Sequence, residues 1–246
     1  MKTKAYLRFF NRAAHLDADI EMADVLKIAI SHGALTVNGG PLIFDSVNVN
    51  LHPRLAGRKN NVHSRTLVAN HLNASLCEAF IKNIYEDLIQ YFSETLRAAA
   101  KNGLDSNRLI GEHQVSFQAN EILSAKNWNL VVDMVSKSVF RQLENERSTK
   151  KLINKMNTKL ELGVNQTTID AALPYIEVRH LLVHNEGKAD QLFCQSFPSF
   201  GAILGQKIKL DYTLLQSTRT AITNLVNEFD LQIVNKSVVA SNEMQP

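Results

Sequence analysis

Apolar residues recur at helical spacing along most of the chain beyond residue 66. The longest stripe predicts an amphipathic helix from about residue 66 that Lys101-Asn102-Gly103 closes with a glycine stop. The same periodicity predicts helices over about residues 127–142, 150–160, 167–186 and 211–234, with Ser148 as a candidate N-cap. Trp128, the only tryptophan, is expected in the core. The longest stripe consists of Leu72, Leu76, Phe80, Ile84, Leu88, Phe92 and Leu96, widened by Ile81, Tyr85 and Ile89.

Residues 1–65 follow a different pattern from the rest of the chain. Residues 17–31 predict a short helix, with Asp17 as a cap and Gly33 as the stop. Residues 34–51 alternate apolar and polar side chains around Asn38-Gly39-Gly40-Pro41, which indicates a β-hairpin. Residues 53–64 read as a polar linker. We therefore expect a mostly α-helical protein: a β-containing N-terminal extension (1–65), a helical domain (66–236) and a loose tail (237–246).

The amino-acid composition limits the kinds of function that fit this chain. Hydrophobic residues make up 45% of 246 residues, enough for a substantial core, and the net charge is only +3. A net charge this small excludes a basic surface over most of the protein, so we expect any contact with RNA to be confined to one basic site. The two cysteines, Cys77 and Cys194, lie in apolar surroundings and are expected to be free thiols, although a disulfide stays open. Because no signal-peptide core or membrane-length apolar run occurs, we expect a cytoplasmic protein without a membrane partner.

Arg179 and His184 form the most informative pair of the chain, within Glu-Val-Arg-His-Leu-Leu-Val-His-Asn-Glu-Gly (177–187). A guanidinium binds phosphate through paired donors and keeps its proton. An imidazole takes or gives a proton near neutral pH. Together these two groups suffice for metal-free cleavage of an RNA backbone. Both side chains are costly to bury without a purpose, which independently indicates a functional site.

The same residues allow blander interpretations. Arg179 could pair with a carboxylate such as Glu177 or Glu78, and His184 could cap the carbonyls that end its helix. His180 and His184 also have the four-residue spacing of a zinc-binding helix, but Leu181 stands where the metalloprotease pattern has glutamate. We therefore expect no metal and no cofactor, with His180 orienting Arg179 or His184, or packed in the core.

The segment resembles the signature of the HEPN ribonucleases (higher eukaryote and prokaryote nucleotide-binding domain): Arg, a polar residue, three or more further residues, then His. His180 occupies the polar position, where asparagine is commoner. The resemblance is best over residues 170–236, and residues 1–65 match no known pattern. It implies a HEPN-like helical bundle and a metal-independent RNA endonuclease, of toxin or defence type, with an antitoxin protein as a partner. The alternative is a non-catalytic HEPN-like module that binds RNA, a nucleotide or a protein.

The resemblance also assigns roles to residues. His184 would be the general base, Arg179 would bind phosphate and His180 would belong to the catalytic set. Asn185 and Lys188, just beyond the motif, are candidate RNA contacts.

The predicted motif helix is apolar on two sides, which suggests a second copy of the chain as a partner. Residues five apart on a helix differ by about 140° in direction, so one helix does not easily aim both motif side chains at one point. HEPN proteins commonly dimerise through these helices, so the resemblance implies a homodimer with a shared cleft. Tyr175, Val178 and Leu182 are the candidates for the face that meets the second copy.

Overall fold

Two long helices form the spine of the fold. The computed structural model describes residues 1–32, 48–112, 115–146 and 148–245. Helix α1 (Lys4–His32) runs antiparallel to helix α3 (Val62–Lys101), as the pairs Arg8–Glu94 and Arg12–Asp87 show. Forty residues of α helix span about 60 Å. The N-terminal residues therefore form part of the helical body.

The remaining described elements are mostly short helices around this spine. Helices α8 (Gln166–His184) and α10 (Tyr212–Asn235) pack against each other and against α3. Phe92 of α3 meets Phe229 of α10 edge to face at 5.0 Å. The mostly α-helical fold is confirmed. Its further elements are β1 (Lys2–Thr3), α2 (Pro53–Ala56), α4 (Ser106–Ile110), α5 (Ala119–Ser124), α6 (Trp128–Glu144), α7 (Thr149–Lys159), α8 (Gln166–His184), α9 (Gln191–Ser196), α10 (Tyr212–Asn235) and β2 (Met244–Gln245), with 3-10 turns at Pro198–Phe200 and Ser241–Glu243.

Helix boundaries follow short polar residues that cap free backbone amides. Asn127 accepts a hydrogen bond from the Leu130 amide at the start of α6. Ser148 is the N-cap of α7, and Asp211 accepts from the Leu214 amide at the start of α10. The predicted helices over 127–142, 150–160 and 211–234 are thereby confirmed, each within a few residues of its predicted ends.

The two chain ends meet in a small antiparallel sheet. Lys2 pairs with Gln245 and Thr3 with Met244. Asp230 of α10, wholly buried, accepts hydrogen bonds from the Thr3 hydroxyl (2.5 Å) and the Thr3 amide (3.3 Å). Burial raises the pKa of Asp230 above its ordinary value, although these bonds oppose the rise. We call β1, β2 and Asp230 the terminal-sheet region. The expectation of a loose tail was wrong, because residues 244–245 complete this sheet.

The helix expected at 17–31 begins earlier, at Lys4. Tyr6, Phe9 and Ala13 continue its buried stripe toward the N-terminus. Asp17 does not cap the helix but pairs with Arg219 of α10. Packing against α3 thus outweighs the capping tendency of one aspartate. Residues 34–47 of the predicted hairpin lie outside the described residues, whereas residues 48–51, at the end of its second strand, form a turn instead. The expected linker contains α2.

Trp128 does not lie on the buried face of α6. Trp128 is 75% exposed and Leu130 is 44% exposed, so the expectation of a core tryptophan was wrong. The helix instead turns Asp133 and Val139 inward. Arg97 donates two hydrogen bonds to Asp133, and Lys101 lies 2.9 Å from the same carboxylate. These partners make a carboxylate tolerable on a core-facing side.

Within the described ranges, we find no helix with both the length and the apolar character needed to cross a membrane.

Candidate active site at the end of helix α8

Helix α8 places the motif at its C-terminal end. Asn165 caps its start by accepting from the Thr167 amide at 2.9 Å. Pro174 lies inside the helix rather than at its first turn. Gly187 ends the helix with φ +74°, a left-handed conformation that favours glycine. Its amide and that of Asn185 both donate to the Leu181 carbonyl at 2.9 Å, which fixes the turn after His184.

The segment after this turn is tied to a second stretch of chain. The Ala189 amide donates to the Gln206 carbonyl, and the Ile208 amide donates to the Gly187 carbonyl. The Asn185 side-chain amide donates to the Lys188 carbonyl at 2.7 Å, and the Lys188 ammonium pairs with exposed Glu186 at 2.8 Å. Both candidate RNA contacts therefore already have partners within the chain. Asn185 mainly shapes the turn, whereas Lys188 keeps an accessible charge.

Arg179 lies over the ring of Tyr85 on α3, with 4.6 Å between the guanidinium carbon and the ring centroid. A cation over an aromatic face is attracted by the ring. Its Nε is buried and has no hydrogen-bond partner. Among the described residues no ion pair involves Arg179, and the Glu78 carboxylate pairs with Lys82 at 2.6 Å. The interpretation that Arg179 neutralises a core carboxylate therefore finds no support.

His180 and His184 form a pair of exposed imidazoles. Their ring centroids lie 4.7 Å apart, tilted by 46°. Their four-residue spacing, about 40° apart around the helix, brings the rings onto one side. His180 is therefore not a core histidine, and its ring lies beside that of His184. No hydrogen bond of the His184 ring to a carbonyl occurs in the described ranges.

Arg179, Val183, His180 and His184 follow one another around the helix at intervals of about 40° to 60°. They form a continuous band of about 140° at the end of α8, with Arg179 on one edge and His184 on the other. Val183, in the middle of the band, is 43% exposed. A phosphate would have to span this band, or meet a second copy of it, to contact both edges.

A groove of about 640 Å³ opens beside the histidine edge, between the start of α7, helix α8 and helix α9. Its apolar wall includes Phe193 and Phe197, whose rings meet edge to face at 5.2 Å. His180 stands on its rim. The groove is lined by Ser148, Lys150, Asp170, Leu173, Pro174, Glu177, His180, Leu181, Asp190, Leu192, Phe193, Ser196, Phe197 and Ser199.

The polar residues of the groove differ in how they are bonded. Asp170 pairs with Lys150 at 3.0 Å, and Asp190 caps α9 by accepting from the Phe193 amide at 2.7 Å. Glu177 forms no ion pair in the described part of the chain. Burial raises the pKa of Glu177 above its ordinary value, while nearby His180 and a hydrogen bond with Thr149 oppose the rise. Glu177 is thus the groove carboxylate without an ion pair or a helix-capping role, and beside the Thr149 hydrogen bond its oxygens keep lone pairs for further donors.

The face predicted to meet a second copy is covered by the chain's own residues. Val178 is fully buried, Leu182 packs against the core, and Tyr175 lies edge to face with Phe200 at 5.8 Å. The assignment of Val178 to a dimer contact was wrong, whereas Tyr175 and Leu182 are half-buried and pack in part against the chain's own residues. The helix is apolar on two sides because α3 and α10 cover one side and the segment around Phe200 covers the other.

The sequence identified the roles of two residues of the candidate site only in part. Tyr85 was seen only as a member of the α3 stripe, and no local pattern connects it to Arg179. Glu177 was considered as a partner of Arg179, yet it stands one turn before His180 and shares its side of the helix. A helical projection centred on His180 would have found it.

In the residues that the structure describes, no three His, Cys, Asp or Glu side chains are grouped to hold a metal ion. Cys77 and Cys194 are both free. Comparisons of the chain with protein-family models, with curated proteins and with solved structures gave no match.

Proposed function

We propose that this protein is a metal-independent RNA endonuclease of the HEPN type, in which Arg179, His180 and His184 are the catalytic residues. The observation that carries the proposal is the pairing state of these groups. Arg179 has no carboxylate partner in the described ranges, and two imidazoles stand side by side and exposed on the adjoining turn. A guanidinium without a carboxylate partner can hold a phosphate, and imidazoles beside it can transfer protons near neutral pH.

The reaction follows from these groups. His184 removes the proton from a ribose 2′-hydroxyl, and the 2′-oxygen attacks the adjacent phosphorus. The bond from phosphorus to the 5′-oxygen breaks, and the leaving oxygen takes a proton from the protonated ring of His180. Arg179 stabilises the charge on the phosphorane-like transition state. The products carry a 2′,3′-cyclic phosphate and a 5′-hydroxyl.

The spread of the band over about 140° favours a contribution from a second copy. We place the contact on the exposed centre of the band at Val183 rather than on the covered side. A two-fold axis there sets Arg179 of one copy near the histidine pair of the other. Val183→Asp should split this dimer without unfolding the chain, because the side chain is already 43% exposed. Val25→Asp on α1, at a position 61% exposed, is the control. A wild-type protein that is strictly monomeric by light scattering contradicts the shared site.

The direct test is cleavage of total RNA by the purified protein in the presence of a chelator. His184→Ala should lower the rate by about 100-fold or more, the usual size of a general acid–base contribution. His71→Ala, which changes an exposed histidine of α3, should leave the rate unchanged. Undiminished cleavage by folded His184→Ala protein contradicts the assignment. Loss of wild-type cleavage in chelator would favour a metal held through His180 and His184.

A non-catalytic binding module is the second candidate, favoured by the separation of Arg179 and His184 on opposite edges of the band. It predicts RNA or nucleotide binding without cleavage. Binding that weakens in Arg179→Ala while no RNA is cut would select this alternative.

A further inference from the structure

The groove beside His180 combines features that a nucleobase requires. Its volume of about 640 Å³ lies in the range of small-molecule sites. Phe197, half exposed on one wall, offers an aromatic edge and face. Glu177, on the opposing helix, offers a carboxylate without an ion pair in the described residues. Bases that are recognised outside a duplex stack on aromatic side chains and are read along their Watson–Crick edge.

We propose that this groove binds the base of the nucleotide whose 2′-hydroxyl is attacked, and that it selects guanine. This inference rests on the proposed ribonuclease function. The base lies between α8 and α9, and its ribose points along the rim past His180 toward His184. Because the two histidine rings are 4.7 Å apart, the rim leads directly from the groove to the general base. Cleavage therefore falls on the 3′ side of guanosine.

Guanine follows from the bonding needs of Glu177. An ionised carboxylate only accepts hydrogen bonds, and its two oxygens suit two parallel donors. Guanine presents N1–H and N2–H side by side. Adenine and cytosine place an acceptor ring nitrogen beside their single amino group, and uracil places its N3–H between two carbonyl oxygens. Each of these bases would set a lone pair against the carboxylate.

The bonding of the other groove carboxylates argues against a basic protein segment as the ligand. Asp170 is already neutralised by Lys150, and one oxygen of Asp190 is committed to the α9 cap. One available carboxylate against an aromatic wall fits a flat base with two donors better than a run of lysines or arginines. A basic peptide would need several unpaired carboxylates to gain affinity.

The test compares guanosine 3′-monophosphate with inosine 3′-monophosphate, which lacks only the N2 amino group, by calorimetry on the full chain. The wild type should bind the guanosine nucleotide roughly tenfold tighter, the size expected for one side of a bidentate contact. Glu177→Gln should remove this preference, since the glutamine amide sets a donor against a donor. Asp170→Asn should keep it. Phe197→Leu should weaken the binding of both nucleotides to the same extent, because the base loses its stacking contact.

Equal binding of the two nucleotides by the wild type overturns the inference, as does an unchanged preference in Glu177→Gln. The cleavage assay is read separately. RNA cut without a preference for guanosine would refute the base site and leave the proposed ribonuclease intact. A guanosine preference in calorimetry without any RNA cleavage would refute the ribonuclease and, with it, the link between this groove and cleavage.

Discussion

The terminal-sheet region and the end of helix α8 treat polar groups in opposite ways. Asp230 is wholly buried, and its carboxylate is bonded to the Thr3 hydroxyl and amide, with Lys2 at 3.8 Å. At the end of α8, Arg179 has an unbonded Nε, and His180 and His184 meet mainly each other. Burial raises the pKa of both Asp230 and Glu177, but only Asp230 is surrounded by donors. The first region uses its polar groups to hold the fold, whereas the second keeps them available.

The largest expected effect is on stability, from Asp230→Ala. The substitution leaves the Thr3 amide and hydroxyl buried without an acceptor, so the free energy of unfolding should fall by about 2 to 4 kcal/mol. Urea denaturation measures the loss. Asp230→Asn, which still accepts one hydrogen bond, is the milder control. A loss below about 1 kcal/mol for the alanine variant would mean that the sheet is not held by this carboxylate.

Arg179→Lys should have a large effect on cleavage and a small effect on stability. Lysine keeps the charge but loses the paired donors, so the cleavage rate should fall roughly 100-fold. Stability should change by less than about 1 kcal/mol, because only the contact with Tyr85 is altered. Arg97→Lys is the matched control, since it weakens the bond to Asp133 and should lower stability without affecting cleavage. Similar cleavage by both variants would remove the contrast between the regions.

The pH dependence of stability should have opposite signs for two carboxylates. Burial tends to raise the pKa of Asp133, but hydrogen bonds from Arg97 and Lys101 outweigh burial and lower it. The stabilisation by Asp133 is therefore present above about pH 3.8 and is lost as the pH falls below that value. The pKa of Glu177 is raised by burial, so its protonated form is the stabilising one, and stability is lost as the pH rises above about 4.5.

Thermal melts between about pH 2 and about pH 7 therefore separate the two sites. The stability deficit of Asp133→Asn relative to wild type should grow as the pH rises. Glu177→Gln should instead gain stability relative to wild type over the same change. Parallel trends for the two variants would mean that Glu177 is bonded as fully as Asp133.

The smallest effect is expected from Lys188→Ala. Its partner Glu186 is exposed, so solvent screens the pair and the free energy of unfolding should hardly change. If Lys188 contacts one phosphate, the slope of log affinity against log salt should decrease by about 1. The wild-type slope should itself be shallow, because the net charge is only +3. A steep slope, measured by fluorescence anisotropy, would indicate a larger basic surface.

The sequence predicted the parts of the fold that local chemistry determines. Helix periods and caps such as Ser148 and Asp211 depend on residues within one or two turns, so they can be found without tertiary contacts. Asp133 shows the limit of this approach. Its inward position depends on Arg97 and Lys101 of another helix, and no local pattern announces those partners.

The residues of the candidate site could be named from the sequence, but their geometry could not. Arg179, His180 and His184 form a recognisable pattern because they lie within two turns of one helix. The contact between Arg179 and Tyr85 depends on how α8 is rotated against α3, which the sequence does not state. The two-residue strands at the chain ends are too short to show an alternating pattern, so their pairing was missed as well.

The bond between Thr3 and Asp230 also constrains the order in which the chain can fold during synthesis. Its partners are 227 positions apart, so at the usual pace of synthesis Thr3 waits on the order of 10 to 50 s for Asp230 to be made. During that interval α1 can rest on α3, yet the first residues lack their buried acceptor. This contact can therefore form only after α10 has been synthesised, and a nascent chain stalled before α10 would expose Thr3 to water.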